Sequence, residues 1–81
     1  MTLKLLFFAS LRERAGTSEM TIEVDGPITV EALWRRLQRD MPRLASYSGP
    51  LRFAVDQSYV DNQETLQDNA EVAFIPPVSG G

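Results

Sequence analysis

The sequence predicts an α+β domain: a mixed β-sheet with one main helix packed on one face. Three observations carry that expectation. A single amphipathic stripe of helical spacing runs from Val30 to Met41. Short apolar or strictly alternating segments lie on either side of it. The chain has 81 residues, which suits one domain and leaves no room for two.

The elements follow in order. Leu3 to Ala9 is apolar and aromatic, short enough for a buried strand. Ser10 to Gly16 reads as one or two helical turns, with Gly16 as the stop. Between Glu19 and Val24, Met20, Ile22 and Val24 alternate with Glu19, Thr21 and Glu23, the pattern of a half-buried strand. Asp25-Gly26-Pro27 ends it with turn chemistry. Thr29 is placed to cap the main helix, and Glu31 in its first turn suits the helix dipole. Val30, Leu33, Trp34, Leu37 and Met41 form the core-facing stripe, so Trp34 and Met41 are assigned to the core. Pro42 closes the helix or opens one further turn, and residues 44–50 read as loop.

Leu51, Phe53 and Val55 alternate with Arg52, Ala54 and Asp56 in a third strand. Ser58-Tyr59-Val60 is a very short fourth. Asp61-Asn62 and Asp68-Asn69 are turns, and Leu66 between them is an anchored loop residue. Glu71 to Ile75 is the last strand, because Pro76 and Pro77 cannot donate to a ladder. The connection carrying the long helix favours parallel pairing of the strands it links. Local pattern leaves the strand order open. Residues 1–75 form the domain, and residues 76–81 a flexible C-terminal Gly-Gly tail.

Composition excludes several function classes. Hydrophobic residues make up 43% and charged residues 23%, ordinary for a globular chain. A domain this small buries only about 60–65% of its unfolded surface, so its core is thin. There is no cysteine and no histidine. Thiolate metal sites, a cysteine nucleophile, the commonest general base and the commonest transition-metal ligand are therefore all missing. Neither a self-contained hydrolase nor a metal site is expected. The formal charge is −3, from 8 basic and 11 acidic residues, which disfavours a nucleic-acid binder. The one dense basic cluster, Arg35, Arg36, Arg39 and Arg43, is interleaved with Glu31 and Asp40 and reads as a solvated helix face. No apolar run is long enough to span a membrane. The N-terminal stretch lacks the basic region and cleavage site of a signal peptide, so a cytoplasmic location is expected.

The tail is where chemistry remains. Phe74-Ile75-Pro76-Pro77-Val78-Ser79-Gly80-Gly81 leaves the last strand through two prolines, which fix φ and stiffen the exit. The two glycines remove every Cβ from the tip. Extended, the segment from Pro76 onward reaches roughly 20 Å. Such a tip enters a tunnel that would reject any side chain, and it offers the α-carboxylate of Gly81 as a reacting group. Gly-Gly alone is a weak signal. A diproline directly after a strand, with the chain stopping on the second glycine, is a much stronger one.

Three segments carry a family resemblance: Leu5-Leu6-Phe7-Phe8-Ala9 with Leu11-Arg12-Glu13, then Thr29-Val30-Glu31-Ala32-Leu33, and Glu71-Val72-Ala73-Phe74-Ile75-Pro76-Pro77-Val78-Ser79-Gly80-Gly81. Together they resemble the small subunits of molybdopterin synthase, over nearly the whole chain. The resemblance implies a β-grasp, ubiquitin-like fold and a sulfur carrier. An E1-like adenylating enzyme would use ATP to convert the Gly81 carboxylate to an acyl-adenylate, and a persulfide donor would turn it into a thiocarboxylate. The carrier itself would hold no bound cofactor. Within a heterotetrameric synthase, the tail would thread into the large subunit and deliver sulfur to cyclic pyranopterin monophosphate, with two deliveries per dithiolene. The small subunit would be the sulfur-donating partner, with acid–base groups supplied by the large subunit. Ile75 departs from the family, which often has a second aromatic there, and Asp56 stands where Asn is common. Arg12 and Glu13 match the family, and a local structural role is expected for them.

Period 2 predicts the docking face. With Leu5, Phe7, Phe53, Val55, Val72 and Phe74 facing the helix, Leu6, Phe8, Ala54, Tyr59, Ala73 and Ile75 form an apolar patch on the open face, the mark of a partner surface. Leu6, Phe8, Tyr59 and Ile75, with Pro76, Pro77, Val78, Ser79 and Gly80, are the expected partner-binding residues, and Gly81 is the reacting one. A homodimer interface competes for the same patch. Three further functions compete for the whole chain: a carrier for thiamine thiazole or tRNA thiolation, a ubiquitin-like modifier joined to lysine, and a β-grasp interaction domain with an inert tail.

Overall fold

The computed structural model describes residues 1–77, so the expectations for Val78, Ser79, Gly80 and Gly81 lie outside the described residues. The elements are β1 (Thr2–Phe7), α1 (Ala9–Ala15), β2 (Glu19–Glu23), β3 (Ile28–Thr29), α2 (Val30–Asp40), α3 (Pro42–Ala45), β4 (Arg52–Val55), β5 (Ser58–Val60), β6 (Thr65–Leu66) and β7 (Glu71–Ile75). Five strands form a mixed sheet in the order β2-β1-β7-β4-β5, with α2 on one face. This is the β-grasp arrangement.

The one parallel pair is β1 with β7, in register from Lys4 opposite Glu71 to Phe7 opposite Phe74. The expected pairing of the strands linked by α2 does not form. β2 and β4 run in the same direction but lie two strands apart, separated by β1 and β7. Burial explains this order. Leu3, Leu5, Phe7, Val72 and Phe74 are at most 2% exposed, and the two segments that carry them take the centre, flanked on both sides. The half-buried Met20, Ile22, Phe53 and Val55 belong to the flanking strands.

The main helix forms as its stripe predicts. Thr29 Oγ1 accepts a hydrogen bond from the Ala32 N–H at 3.1 Å, capping the first turn. Val30, Leu33 and Leu37 are buried against the sheet, and Trp34 stacks at 5.4 Å on Phe74. The opposite face carries the exposed pairs Arg35–Glu31 at 3.1 Å, Arg36–Asp40 at 3.7 Å and Arg39–Asp40 at 3.1 Å. The basic cluster is thus a solvated face, and each pair contributes well under about 1 kcal/mol.

Two loops expected from sequence are more regular. The run 44–50 begins inside α3, whose Pro42 occupies the first turn and whose Leu44 is fully buried. Leu66 lies in β6, which pairs with β3. Orphan helix donors account for this second case. The Val30 and Glu31 N–H groups at the start of α2 donate to the carbonyls of Glu64 at 3.0 Å and Asn62 at 2.9 Å. That draws the 62–66 segment alongside Ile28–Thr29. Beside Arg12 and Glu13 in α1, Arg14 donates to Ser46 Oγ at 2.7 Å and lies 5.5 Å from the Tyr47 ring centre.

The β4–β5 hairpin turns on Asp56 and Gln57, both left-handed, with φ 49° and 73°. This is the mirror-image turn that suits strand twist, and its second position favours glycine. Asp56 ties the hairpin to β7: its N–H donates to the Glu71 carbonyl at 2.9 Å, and its Oδ1 accepts from the Glu71 N–H at 3.0 Å. Gln57→Gly should stabilise the domain by up to about 1 kcal/mol by removing the left-handed penalty. Thermal unfolding should show a rise of roughly 4–8 °C for a full 1 kcal/mol gain. A lowered midpoint would mean that the Gln57 side chain contributes more than the turn costs. Among the described residues, no helix is long and apolar enough to cross a membrane.

Candidate functional site

The outward positions of the central strands converge on one surface. Leu6 stands opposite Ala73, Ala73 opposite Ala54, and Ala54 opposite Tyr59. Phe8 follows β1 directly and is fixed by its backbone: its N–H donates to the Phe74 carbonyl at 3.2 Å, and its own carbonyl accepts from the Leu11 N–H at 3.0 Å. Among the described residues, the exposed large hydrophobic side chains are Phe8, 45% exposed, and Tyr59, 67% exposed. Both were expected on this face.

The patch has relief. Ala54 and Ala73 were expected to be part of an exposed surface, but they are buried. Their side chains are too short to rise past Leu6, Phe8, Tyr59 and Ile75, so they form the floor of a hollow of about 210 Å³. Gln57 and Glu71 complete its rim. At the far end Lys4 sits between Glu19 at 3.6 Å and Glu71 at 3.9 Å.

Where the chain leaves the sheet there is a second hollow, of about 370 Å³, lined by Pro50, Leu51, Arg52, Tyr59, Ile75, Pro76 and Pro77. Ile75 pairs in register with Arg52, while Pro76 is buried and Pro77 exposed. Pro76, assigned to the tail from sequence, is therefore packed on the body. Ile75 is half-buried and shared by both hollows. The apolar face and the end of β7 form one continuous surface.

The sequence reading missed Arg52 as a site residue, although it held an outward position in the β4 alternation. Its guanidinium lies 5.5 Å from the Tyr59 ring centre. Among the described residues no polar or charged residue is buried. Nor does any group of three His, Cys, Asp or Glu converge there as metal ligands.

The model of the ThiS family matches residues 5–81. The molybdopterin synthase sulfur carrier subunit of Escherichia coli K12 is 46% identical over 81 residues, covering 98% of this chain and 99% of the relative. The chain belongs to the ThiS family and, within it, to the molybdopterin synthase sulfur carrier subunits. Solved structures agree with the topology. SAMP1 from Haloferax volcanii superposes with a TM-score of 0.86 at 27% identity, with all of both chains covered. A complex of subunits 1 and 2 of the molybdopterin-converting factor from Helicobacter pylori 26695 contains a chain that matches at TM-score 0.71 and 22% identity, again over the full length of both. That last likeness is one of fold. The ThiS-family fold is the ubiquitin-like β-grasp, and in this member its open face carries the apolar surface that ends at the tail root.

Proposed function

We propose that this chain is the sulfur carrier of a molybdopterin synthase, with Gly81 as the carrying residue. An E1-like enzyme transfers AMP from ATP to the Gly81 carboxylate and releases pyrophosphate. A bare carboxylate is a poor electrophile, and the adenylate supplies its leaving group. The terminal sulfur of a persulfide donor attacks the acyl carbon and expels AMP. A thiol then cleaves the resulting acyl disulfide and leaves a thiocarboxylate. The carrier docks on the large subunit through Leu6, Phe8, Tyr59, Ile75 and Pro76. Pro77, Val78, Ser79 and Gly80 line the path of the tail into the partner, where the sulfur passes to cyclic pyranopterin monophosphate. ATP is consumed by the activating enzyme, and no cofactor resides on the carrier. The same proposal places the chain in the cytoplasm and in a heterotetrameric synthase.

One observation carries it: the exposed Pro77 follows a buried Pro76 at the edge of the apolar face, and the sequence continues from there as Val78-Ser79-Gly80-Gly81. The names of the sequence relatives support the same chemistry. Incubation with the adenylating enzyme, ATP and a persulfide donor should exchange one oxygen for sulfur at the terminus, read by intact mass. A carboxylate that stays unmodified in the presence of all three overturns the proposal.

A second reading has support from the likeness to SAMP1, a small archaeal modifier protein. It shares the adenylation step and differs in the acceptor. A lysine conjugate in the same reaction, with no thiocarboxylate, would favour it.

A further inference from the structure

We propose that Arg52 determines docking specificity on this face by pairing with a carboxylate of the large subunit beside the point where the tail enters. The inference rests on the docking proposed above. Arg52 is exposed, lines the hollow at the tail root, stacks over Tyr59, and makes no ion pair among the described residues. A partner that covers Tyr59, Ile75 and Pro76 covers the guanidinium as well. Burying an unpaired charge is expensive, so a surface that fits here supplies an acceptor. Arg52 is held ready for it, because stacking on Tyr59 restricts the side chain before docking.

Charge is distributed unevenly across the face. At the far end Lys4 is shared by Glu19 and Glu71, two carboxylates against one ammonium, which leaves one net negative charge. At the tail end stands the positive Arg52. A body of net charge −3 attracts a basic partner in a general way. Arg52 at the tail root does something different: it fixes which way round the partner sits, so that the tunnel mouth meets the tail.

The test is affinity for the purified large subunit, measured across a range of salt. Arg52→Leu should weaken binding at least about tenfold, chiefly by speeding dissociation, and flatten the salt dependence. Arg52→Glu should weaken it about a hundredfold, and Arg52→Lys should fall between the parent and Arg52→Leu, because the charge remains while the stacked guanidinium is lost. An unchanged affinity and salt dependence for Arg52→Leu overturns the inference. Phe8→Glu separates the two levels of the argument. If it abolishes binding while Arg52→Leu is neutral, Arg52 alone is excluded and the docking face stands. If Phe8→Glu also binds normally, the docking face itself is wrong.

Discussion

Adding a single residue after Gly81 is expected to abolish sulfur transfer while leaving the folded body intact. The extension moves the reacting carboxylate by one residue, about 3.3–3.6 Å along an extended chain. A misplacement of even about 1 Å in a positioned reaction costs on the order of a hundredfold, so the loss should exceed that. Gly80→Val should do the same by a different route, by putting a branched Cβ into a passage sized for glycine. Both variants leave residues 1–77 untouched, so thermal unfolding should match the parent. The rate of thiocarboxylate formation and the rate of delivery to the pterin substrate are the two readouts. Retained transfer in the extended chain would remove the terminal carboxylate from the mechanism. Retained transfer in Gly80→Val alone would remove only the narrow passage.

Phe74→Ala should produce the largest loss of stability available at a single position. Phe74 is fully buried in β7 and meets three other rings: Phe7 at 5.6 Å, Trp34 at 5.4 Å and Phe53 at 5.9 Å between centroids. Truncating a buried phenylalanine costs about 3–5 kcal/mol, the transfer term plus the cavity left behind. At about 0.05–0.15 kcal/mol per residue, a domain of this size holds roughly 4–12 kcal/mol in total. The variant should therefore melt roughly 15–30 °C lower, or fail to fold at 37 °C. Urea unfolding checks the magnitude, with Phe8→Ala as the exposed comparison, expected to change stability by no more than about 0.5 kcal/mol. A loss below about 1 kcal/mol for Phe74→Ala would show that the ring cluster is not the centre of the core. The consequence reaches the site, because the Phe74 carbonyl holds the Phe8 N–H and the next residue is Ile75.

Much of this was legible residue by residue. The stripe from Val30 to Leu37, the Thr29 cap and the Gly16 stop, with φ 78°, are local features set by spacing and backbone preference. Period 2 also sorted the two sheet faces correctly: Leu5, Phe7, Val72 and Phe74 inward, Leu6, Phe8, Tyr59 and Ile75 outward. What it could not supply was depth. Ala54 and Ala73 alternate outward like their neighbours, yet they lie buried, because depth depends on which side chains stand beside them across the register. Arg52 was overlooked for a related reason. An arginine on an exposed strand position is ordinary until pairing sets it opposite Ile75 and beside Tyr59.

The sequence by itself determined the two longer helices and the five strands of the main sheet, their inward and outward faces, and the chemistry available to a chain with neither cysteine nor histidine. Those follow from local periodicity and composition, which need no knowledge of neighbours. Only the tertiary structure decided that β1 and β7 pair at the centre, that Pro76 packs on the body while Pro77 is exposed, and that one charged side chain stands at the tail root. Each of these depends on contacts between segments far apart in the chain, and pairing energy between such segments is not written in either one alone.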